Sequence, residues 1–307
     1  MSSAIPRERK TAIRTDLWRV GIVKAPITRI LAEADLGAFD IAWLPAAGPL
    51  RFTADPFGLW KDGLLHIFLE AYDYRTKRGE IELLILDESL SLVERGVVLR
   101  EPWHLSYPFV FEADGEIWML PEGYRSGHLT LYRATDFPRR WEPERRFVFP
   151  EAAIDATPVR AQDGWWMFYT PPAPKPWRTS ALKLARADHL LGQWERCGDT
   201  PILINRGGAR MGGTPVWMGD TLLLPTQDCR DTYGGAISIR TVTGAPGRGL
   251  RIEATGPRIT APPGFHPFVE GLHTLSQAGP VTLIDAKRTI HPVRHLAQLA
   301  TGRLRRR

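Results

Sequence analysis

Apolar and polar residues alternate in short paired runs that recur along the chain. One pair covers residues 106–122, where Tyr107-Pro-Phe-Val-Phe111 leads into Asp114-Gly115 and a second alternating run ends at Glu122. Alternation with a period of two predicts a half-buried strand, and Asp-Gly between two such runs predicts a tight hairpin. The unit is therefore an antiparallel strand pair whose second strand ends on a carboxylate.

Four other copies of this unit follow the same order of signals. Their turns are marked by Asp62-Gly63, Asp163-Gly164 and Gly219-Asp220, and a weaker copy runs from Phe265-His-Pro-Phe268 to Leu275. A proline opens each copy, at positions 56, 108, 158, 215 and 267, so the copies are 52, 50, 57 and 52 residues apart. A period near fifty residues with several short strands per repeat is typical of a propeller.

Each copy has room for two more strands after its hairpin. Further strands are predicted at residues 81–86, 129–132, 181–184, 236–239 and 281–284. We therefore predict an all-β fold, a five-bladed β-propeller of four-stranded antiparallel blades with a short C-terminal helix. A ring of blades has an open seam that an early strand usually closes, and Leu17–Val23 is predicted to complete the last blade.

Basic residues concentrate at the two ends of the chain. The 307 residues carry a net charge of +6, with a pI near 9.5, and the basic runs are Arg7–Lys10 and Arg303–Arg307. We predict a disordered basic head at residues 1–15, the propeller at residues 16–290, and a basic helix and tail at residues 291–307. Weak contact with an anionic surface is expected of such a tail.

Several function classes are excluded by what lies between the ends. The interior has no nucleic-acid-binding motif, and Cys197 and Cys229 form neither a disulfide framework nor a metal-type spacing. No apolar run approaches the roughly 18 residues that cross a bilayer, and no apolar segment follows the N-terminal charges as in a secretory signal. We expect a cytoplasmic protein without a nucleic-acid partner, metal or cofactor. The eleven tryptophans fit packing between blades or, for some, stacking platforms for sugar rings.

Hairpin topology predicts which polar residues share a rim. The start of the first strand and the end of the second are neighbours, and blade symmetry brings all five pairs to one mouth of the central channel. The pairs are Asp55 with Glu70, Tyr107 with Glu122, Asp155 with Thr170, Arg210 and Thr214 with Gln227 and Asp228, and His266 with His273 or Ser276. Polar groups that converge on a concave opening are the default site hypothesis.

Paired carboxylates at a sugar-sized opening indicate glycosidic-bond chemistry, in which one carboxyl protonates the leaving oxygen while another activates water or attacks. Asp55 is the candidate base or nucleophile, Glu122 the first candidate acid and Glu70 the second. Asp155 is expected to shift a neighbour's pKa by like-charge repulsion, and Arg210 to hold an anionic or hydroxyl-rich group. The predicted substrate-binding residues are Tyr107, Arg210, Gln227, Asp228, His266 and His273.

A structural role is the alternative for each of these residues. Asp55 before a proline can cap a turn, a glutamate that ends a strand can be merely solvated, and a histidine near a channel axis is commonly a hydrogen-bonded core residue. The loop Asn205–Gly213 carries glycines of the kind that cradle a phosphate, but it lacks the strand–turn–helix context of a nucleotide-binding loop.

Short motifs in a fixed order resemble a known group of propellers. They are Ala54-Asp-Pro-Phe57, Tyr107-Pro-Phe-Val-Phe111, Leu120-Pro-Glu122, Arg210-Met-Gly-Gly213, Gly213-Thr-Pro-Val216, Thr226-Gln-Asp-Cys229 with Tyr233-Gly234, and Gly271-Leu-His-Thr-Leu275 with Ile284-Asp285. Over about residues 40–290 the chain resembles the five-bladed propeller of glycoside hydrolase family 43 and, within that group, the N-terminal domain of plant glucosamine inositolphosphorylceramide transferases.

The resemblance to the hydrolases implies carboxylates at the starts of the inner strands of blades one to three. This chain has Asp55 in blade one, but Tyr107 and Thr157 at the matching places in blades two and three, with Asp155 two residues earlier. The resemblance to the plant proteins implies that transfer is carried out by a separate C-terminal domain.

The combined hypothesis is a carbohydrate-active protein that acts on a glycan or sugar conjugate by hydrolysis or transfer at the mouth of the propeller. The alternative is a non-catalytic sugar-binding or scaffold module that works with a separate transferase, or a propeller that recruits a protein partner. Two carboxyls across an open pocket favour the enzyme, whereas carboxylates neutralised by arginine in a closed mouth favour binding or structure.

Overall fold

A computed structural model describes residues 15–290, which contain 22 strands, one α-helix and four 3₁₀ turns. The first strands are β1 (Thr15–Val23), β2 (Ile41–Trp43), β3 (Arg51–Lys61), β4 (Leu64–Asp73), β5 (Arg78–Leu86), β6 (Leu92–Leu99), β7 (Ser106–Ala113), β8 (Glu116–Glu122), β9 (Tyr132–Asp136), β10 (Arg140–Pro143) and β11 (Ile154–Ala161). The remaining strands are β12 (Gly164–Thr170), β13 (Ala181–Ala187), β14 (Glu195–Arg196), β15 (Leu203–Ile204), β16 (Arg210–Met211), β17 (Val216–Met218), β18 (Thr221–Asp228), β19 (Ala236–Ala245), β20 (Arg248–Ile259), β21 (Leu275–Ala278) and β22 (Val281–Ile290).

The helical elements are short. The helix α1 covers Ile27–Glu33, and the 3₁₀ turns cover Leu36–Ala38, Tyr124–Ser126, Lys175–Thr179 and Pro263–Phe265. Because α1 has seven residues, no helix within residues 15–290 is long and apolar enough for a membrane span. The predicted C-terminal helix and tail, and the predicted head up to residue 14, lie outside the described residues.

Five antiparallel sheets form the blades, so the predicted five-bladed propeller is confirmed. Blade one is β3-β4-β5-β6, blade two β7-β8-β9-β10, and blade three β11-β12-β13-β14 with β15 also on β13. Blade four is β18-β19-β20 with β16 and β17 both paired to β18, and blade five is β21-β22-β1-β2. The turns Asp62-Gly63 and Asp114-Gly115 connect the first two strands of blades one and two with positive φ at both residues, as in type I′ hairpins.

The first described strand of the chain closes the ring. Strand β1 pairs with β22 along its whole length, from Thr15 opposite Ile290 to Val23 opposite Thr282. The predicted closure by Leu17–Val23 is therefore confirmed. An N-terminal strand thus lies third in a blade whose first two strands come from the C-terminal part of the propeller.

The first strands of blades one, two and three share a bulge near their beginning. The ladder passes from Ala54–Glu70 to Phe57–Phe68, from Ser106–Glu122 to Phe109–Leu120, and from Ile154–Thr170 to Thr157–Phe168. The first skipped residues are Asp55, Tyr107 and Asp155, with φ of 49°, 45° and 48°. Asp155, and not Thr157, therefore matches Asp55 and Tyr107. The expected alignment through Pro158 was wrong because the bulge, and not the proline, marks the repeat.

The fifth blade begins later than the sequence predicted. Phe265 ends a 3₁₀ turn and packs its ring 4.9 Å from that of Trp43, so Phe265–Phe268 does not start the first strand. That strand is β21, and the run at Val281 is the second strand and not the third. Since Leu275 pairs with Ile284, Thr274 lies opposite Asp285. Asp285 therefore has the position on the second strand of blade five that Glu70 and Glu122 have in blades one and two.

The apolar core lies between neighbouring blades. Phe57 and Phe68 of blade one pack in one cluster with Phe109 and Met119 of blade two. Six tryptophans are buried, and five of them lie in the large clusters that join blades, namely Trp118, Trp141, Trp165, Trp166 and Trp194. For these five side chains, the predicted packing between blades is confirmed.

The closing strand generates a stability prediction. Ile22 of β1 is fully buried in the cluster between blades five and one. Ile22→Ala is expected to lower the free energy of unfolding by about 3 kcal/mol, because it removes buried methyl groups and leaves a cavity. Urea denaturation measures the change. Ile204→Ala, at a site that is 61% exposed, is the control and should shift stability by less than about 0.5 kcal/mol. If both substitutions changed the free energy of unfolding by the same small amount, packing at the seam would contribute little to stability.

Candidate functional site

Polar side chains from all five blades come together near the bulges of blades one to three. We call this group the mouth cluster, and its members are Asp55, Glu70, Tyr107, Glu122, Asp155, Arg210, Gln227, His273 and Asp285. The residues from blades one to four lie at the bulges, at the adjoining start of β16 or at the ends of the second strands. All of these carboxyl groups are buried, with residue exposures of 5% or less.

Asp285 connects blade five to blade one. Its Oδ2 accepts the backbone N–H of Asp55 at 2.9 Å and lies 2.7 Å from His273 Nδ1. Its Oδ1 accepts the backbone N–H groups of His273 and Thr274, both at 3.0 Å. One carboxylate therefore holds the turn into β21 and the left-handed backbone of Asp55 together.

The Asp55 carboxylate lies on the other side of the same imidazole. Its Oδ1 accepts the Thr274 hydroxyl at 3.0 Å and lies 3.6 Å from His273 Nε2, and its Oδ2 accepts the N–H of Tyr107 at 3.2 Å. Burial, with the nearby Asp285 and Asp155, raises the pKa of Asp55 to about 6 against the opposing effect of His273. Burial acts to lower the pKa of His273, but the negative charges of Asp285 and Asp55 outweigh this effect, so the pKa is raised. The imidazole is therefore favoured as a cation between two carboxylates.

Two aromatic side chains fix this imidazole. Trp18 of the closing strand stacks on His273 with ring centroids 3.8 Å apart and planes 11° from parallel. Tyr233 meets the imidazole edge-on at 5.5 Å. Closure of the ring by β1 therefore also completes the mouth cluster.

Asp155 forms the second ion pair of the mouth cluster. Arg210 donates from Nε to Asp155 Oδ2 at 2.6 Å and from Nη2 to Oδ1 at 3.2 Å, and Gln227 Nε2 donates to Oδ2 at 2.9 Å. The remaining Nη1 of Arg210 donates to the carbonyl of Arg178 at 3.1 Å. Every nitrogen of the guanidinium already has a protein acceptor, so the predicted contact of Arg210 with a ligand stays a prediction.

Glu122 is held without a basic partner. It accepts the N–H of Tyr124 at 2.9 Å and the hydroxyl of Ser106 at 3.2 Å, and within residues 15–290 it makes no ion pair with lysine or arginine. Burial, followed by the charge of Asp155, raises the pKa of Glu122 to about 7. The negative charge of Asp155 is thus one cause of the raised pKa of Glu122, and a catalytic role for Asp155 stays a prediction.

Glu70 faces a neutral histidine. Its Oε1 lies 3.6 Å from Nε2 of His104, whose Nδ1 accepts the N–H of Gly79 at 2.8 Å. Burial lowers the pKa of His104 to about 4, so the neutral ring carries its proton on the nitrogen that faces Glu70. Burial and the surrounding carboxylates raise the pKa of Glu70 well above its ordinary value.

Tyr107 reaches from blade two to three other blades. Its residue is fully buried, and its ring packs on Phe57 of blade one with centroids 4.6 Å apart. Its hydroxyl lies 3.0 Å from Thr157 Oγ1 of blade three and accepts the N–H of Gly213 of blade four at 3.1 Å. Tyr107 therefore ties four blades together at the axis, and its predicted role in substrate binding stays a prediction.

Two predicted residues lie apart from the mouth cluster. His266 is exposed and follows the 3₁₀ turn that packs on β2, so it does not join His273. Asp228 turns its carboxylate to Arg230 and Arg258, with oxygen–nitrogen distances of 2.6 and 2.9 Å. A substrate-binding role for either residue stays a prediction, as it does for Gln227, whose buried Oε1 has no partner among the described residues.

Asp55, His273 and Asp285 also have the ligand types of a metal site, with their nearest polar atoms within 4.8 Å of one another. Both oxygens of Asp285, however, already accept hydrogen bonds, and Asp55 accepts two more. The three groups therefore satisfy one another as an ion-pair network. Chemically, the mouth cluster provides two buried carboxyls, those of Asp55 and Glu122, whose pKa values are raised toward neutral pH.

Sequence reasoning did not assign Asp285, Thr274, Tyr233, His104 or Trp18 to the site, although the first three stand in the motifs that carry the family resemblance. The signal for Asp285 was present, because it ends the apolar run Val281–Ile284 after Gly279-Pro280 as Glu70 and Glu122 end theirs. His104 and Trp18 come from linking and closing segments that carry no repeat signal, so their positions depend on the closed ring.

Comparison with known proteins gives one family and one fold. Residues 42–245 match the family model described as glucosamine inositolphosphorylceramide transferase 1, N-terminal. Glucosamine inositolphosphorylceramide transferase 1 of Oryza sativa subsp. indica is 35% identical over 197 residues, 62% of this chain and 26% of the relative. The Arabidopsis thaliana protein of the same name is 32% identical over 200 residues, 63% of this chain and 26% of that relative. The match thus spans about a quarter of the relatives' length.

Solved structures share the fold at low identity. The GH43_1 enzyme from Xanthomonas citri complexed with xylotriose has a TM-score of 0.53 at 14% identity, over 79% of this chain and 89% of that chain. CoXyl43, a GH43 β-xylosidase/α-arabinofuranosidase from a compost microbial metagenome, has a TM-score of 0.53 at 15% identity, over 80% and 93%. These likenesses establish the shared propeller fold.

The raised pKa of Glu122 predicts a pH-dependent stability difference. The native protein retains this proton up to about pH 7, whereas the unfolded chain releases it near pH 4.5, so wild-type stability falls as the pH rises between these values. Glu122→Gln removes that loss, and its free energy of unfolding relative to wild type should rise with pH by up to about 3 kcal/mol. Urea denaturation from pH 4.5 to 8 measures the difference.

The control for this substitution is Glu116→Gln, at the other end of the same strand, where the glutamate side chain is 46% exposed. Its stability difference from wild type should not change in this way with pH. If the stability difference between Glu122→Gln and wild type also did not change with pH, the Glu122 carboxyl would be ionised in the native protein over this pH range.

Proposed function

Because the chain belongs to the family of the glucosamine inositolphosphorylceramide transferase 1 N-terminal domain, we propose that its mouth cluster binds a glycosyl group of a sugar conjugate and acts by acid–base chemistry at a glycosidic bond. The observation that carries this proposal is the pair of buried carboxyls on neighbouring blades, Asp55 and Glu122, with pKa values raised to about 6 and about 7. The names of the relatives and the xylotriose in the solved propellers support a sugar as the ligand.

The two carboxyls have complementary roles near neutral pH. Asp55, with the lower pKa and a histidinium beside it, is the base or nucleophile. Glu122 is the acid, because a substantial fraction of a carboxyl with a pKa of about 7 is protonated at that pH. Glu70, whose pKa is also raised by burial, is the second candidate for the acid.

The Asp155–Arg210 pair positions the reacting groups. Its bidentate geometry and the amide of Gln227 fix the Asp155 carboxylate, whose charge helps to keep the proton on Glu122. The chain matches about a quarter of its curated relatives, so this proposal concerns the mouth of the propeller and not the transfer reaction in the relatives' names.

A second candidate is a sugar-binding module without catalysis. It is favoured by the hydrogen bonds on Asp55, whose two oxygens accept the Thr274 hydroxyl and the Tyr107 N–H and would have to be partly freed for reaction. The buried Oε1 of Gln227, which has no hydrogen-bond partner among residues 15–290, would then serve as an acceptor for a sugar hydroxyl.

The test uses the purified chain with a panel of aryl glycosides, glycans and amino-sugar conjugates. Asp55→Asn and Glu122→Gln are each expected to lower turnover by a factor of at least about 100, because each removes a proton-transfer group, with the fold retained. Asp62→Asn and Glu116→Gln are matched controls, since they make the same changes on the same two hairpins away from the mouth and should leave turnover unchanged. Initial rates measure activity, and thermal unfolding confirms the fold.

Different outcomes separate the two candidates. Saturable sugar binding by calorimetry, without turnover on any substrate and with binding lost in Asp55→Asn, would select the binding module. Neither binding nor turnover across the panel would contradict both. Unfolding of Asp55→Asn and Glu122→Gln would show that these carboxyls are structural.

A further inference from the structure

A polar cleft lies on blade four, beside the loop that enters this blade. It has a volume of about 230 Å³, and its walls include Arg230, Arg240 and Arg258 together with Asn205 and Gly207. Gly207 belongs to the glycine-rich loop that enters blade four, the loop whose composition suits a phosphate. A Cβ at Gly207 would lie 2.8 Å from Arg230 Nε, so a side chain there would crowd the cleft.

The charges around this cleft favour an anion. Among the described residues that line it, three are arginines and none is acidic. Asp228 lies behind the arginines, where its buried carboxylate accepts Arg230 Nη2 at 2.6 Å and Arg258 Nη1 at 2.9 Å. A further carboxylate, Asp231, is 3.7 Å from Arg258 but has an 86% exposed side chain, so solvent screens it.

One guanidinium is built into the wall of the cleft. Arg240 is 6% exposed and donates from Nε to the carbonyl of Gly208 at 2.9 Å and from Nη2 to that of Gly207 at 3.3 Å. These carbonyls orient the group without neutralising its charge. Burial and the neighbouring Arg230 lower the pKa of Arg240, which makes no ion pair with a carboxylate in the part of the chain that the structure describes.

Blade one provides an internal comparison. The Asp73 carboxylate accepts hydrogen bonds from the side chains of Arg51 and Arg75, as the Asp228 carboxylate does from Arg258 and Arg230. Each carboxylate also accepts the backbone N–H of the residue two positions later. The adjoining cavity of about 280 Å³ also has several arginines, but Asp73, Glu80 and Glu82 line it. Glu82 and Glu80 pair with Arg95 and Arg100 at 2.8 and 2.9 Å. Carboxylates in that wall would repel an anion.

We propose that the arginine cleft of blade four binds a phosphate group, held by Arg230, Arg240 and Arg258. Guanidinium groups donate paired hydrogen bonds that match the oxygens of a phosphate. Arg240 is fixed in the wall, and the partly exposed side chains of Arg230 and Arg258 can contact the same phosphate from other sides. The phosphate belongs either to a small sugar phosphate or to a phospholipid head group. The assignment is independent of any chemistry at the mouth.

Calorimetry of the full chain at constant ionic strength tests the assignment with inorganic phosphate. Saturable binding is expected, and Arg258→Gln should weaken it about tenfold, because one charge-assisted hydrogen bond is lost while Arg230 still neutralises Asp228. Arg51→Gln is the matched control, since Arg51 makes the equivalent single contact with Asp73 and is similarly exposed; it should leave the affinity unchanged. Gly207→Ala, which narrows the cleft without removing a charge, should also weaken binding several-fold.

Two further probes distinguish the sources of the phosphate. Glucose 1-phosphate is compared with glucose, and phosphatidylinositol vesicles are compared with phosphatidylcholine vesicles. Preference for glucose 1-phosphate supports a soluble sugar phosphate, and preference for phosphatidylinositol supports a lipid head group. The proposal is overturned if no phosphate-bearing probe binds saturably, or if Arg51→Gln weakens binding as much as Arg258→Gln does.

Discussion

A single buried carboxylate, that of Asp285, holds the seam of the propeller together at its centre. It accepts the N–H of Asp55 in blade one, the N–H groups of His273 and Thr274 that lead into blade five, and the imidazole of His273. A buried carboxylate is stable only when such partners replace water, so the backbone on both sides of the seam is fixed by the same group. The left-handed conformation of Asp55 and the orientation of His273 both depend on it.

Much of the architecture was predictable because it repeats. Alternating runs, the turns at Asp62-Gly63 and Asp114-Gly115, and the period near fifty residues gave five blades and their hairpins, and an unpaired early strand identified the seam closure by β1. The errors came from treating proline as the marker of the repeat. The physical marker is a bulge with one residue in the left-handed region, and neither Pro158 nor Pro267 occupies it.

The sequence predicted which residues join the mouth cluster better than it predicted which of them pair with one another. Hairpin topology brought Asp55, Glu70, Glu122 and Asp155 to one opening, since strand ends are fixed by the period. Which carboxylate has a cation and which keeps a proton depends on distances across blades: Asp155 meets Arg210 of blade four, whereas Glu122 meets only N–H and O–H donors. Such pairings depend on the closed ring, and no local pattern along the chain encodes them.

Tyr107 has a consequence for what can enter the propeller. Its side chain reaches from blade two to the Thr157 hydroxyl and the Gly213 backbone and is fully buried, so it fills the space between these blades at the axis. A passage along the axis is therefore blocked at this ring. A polymer could not thread through the propeller past Tyr107, and a chain that approached along the axis could present only its terminal unit or a projecting side group.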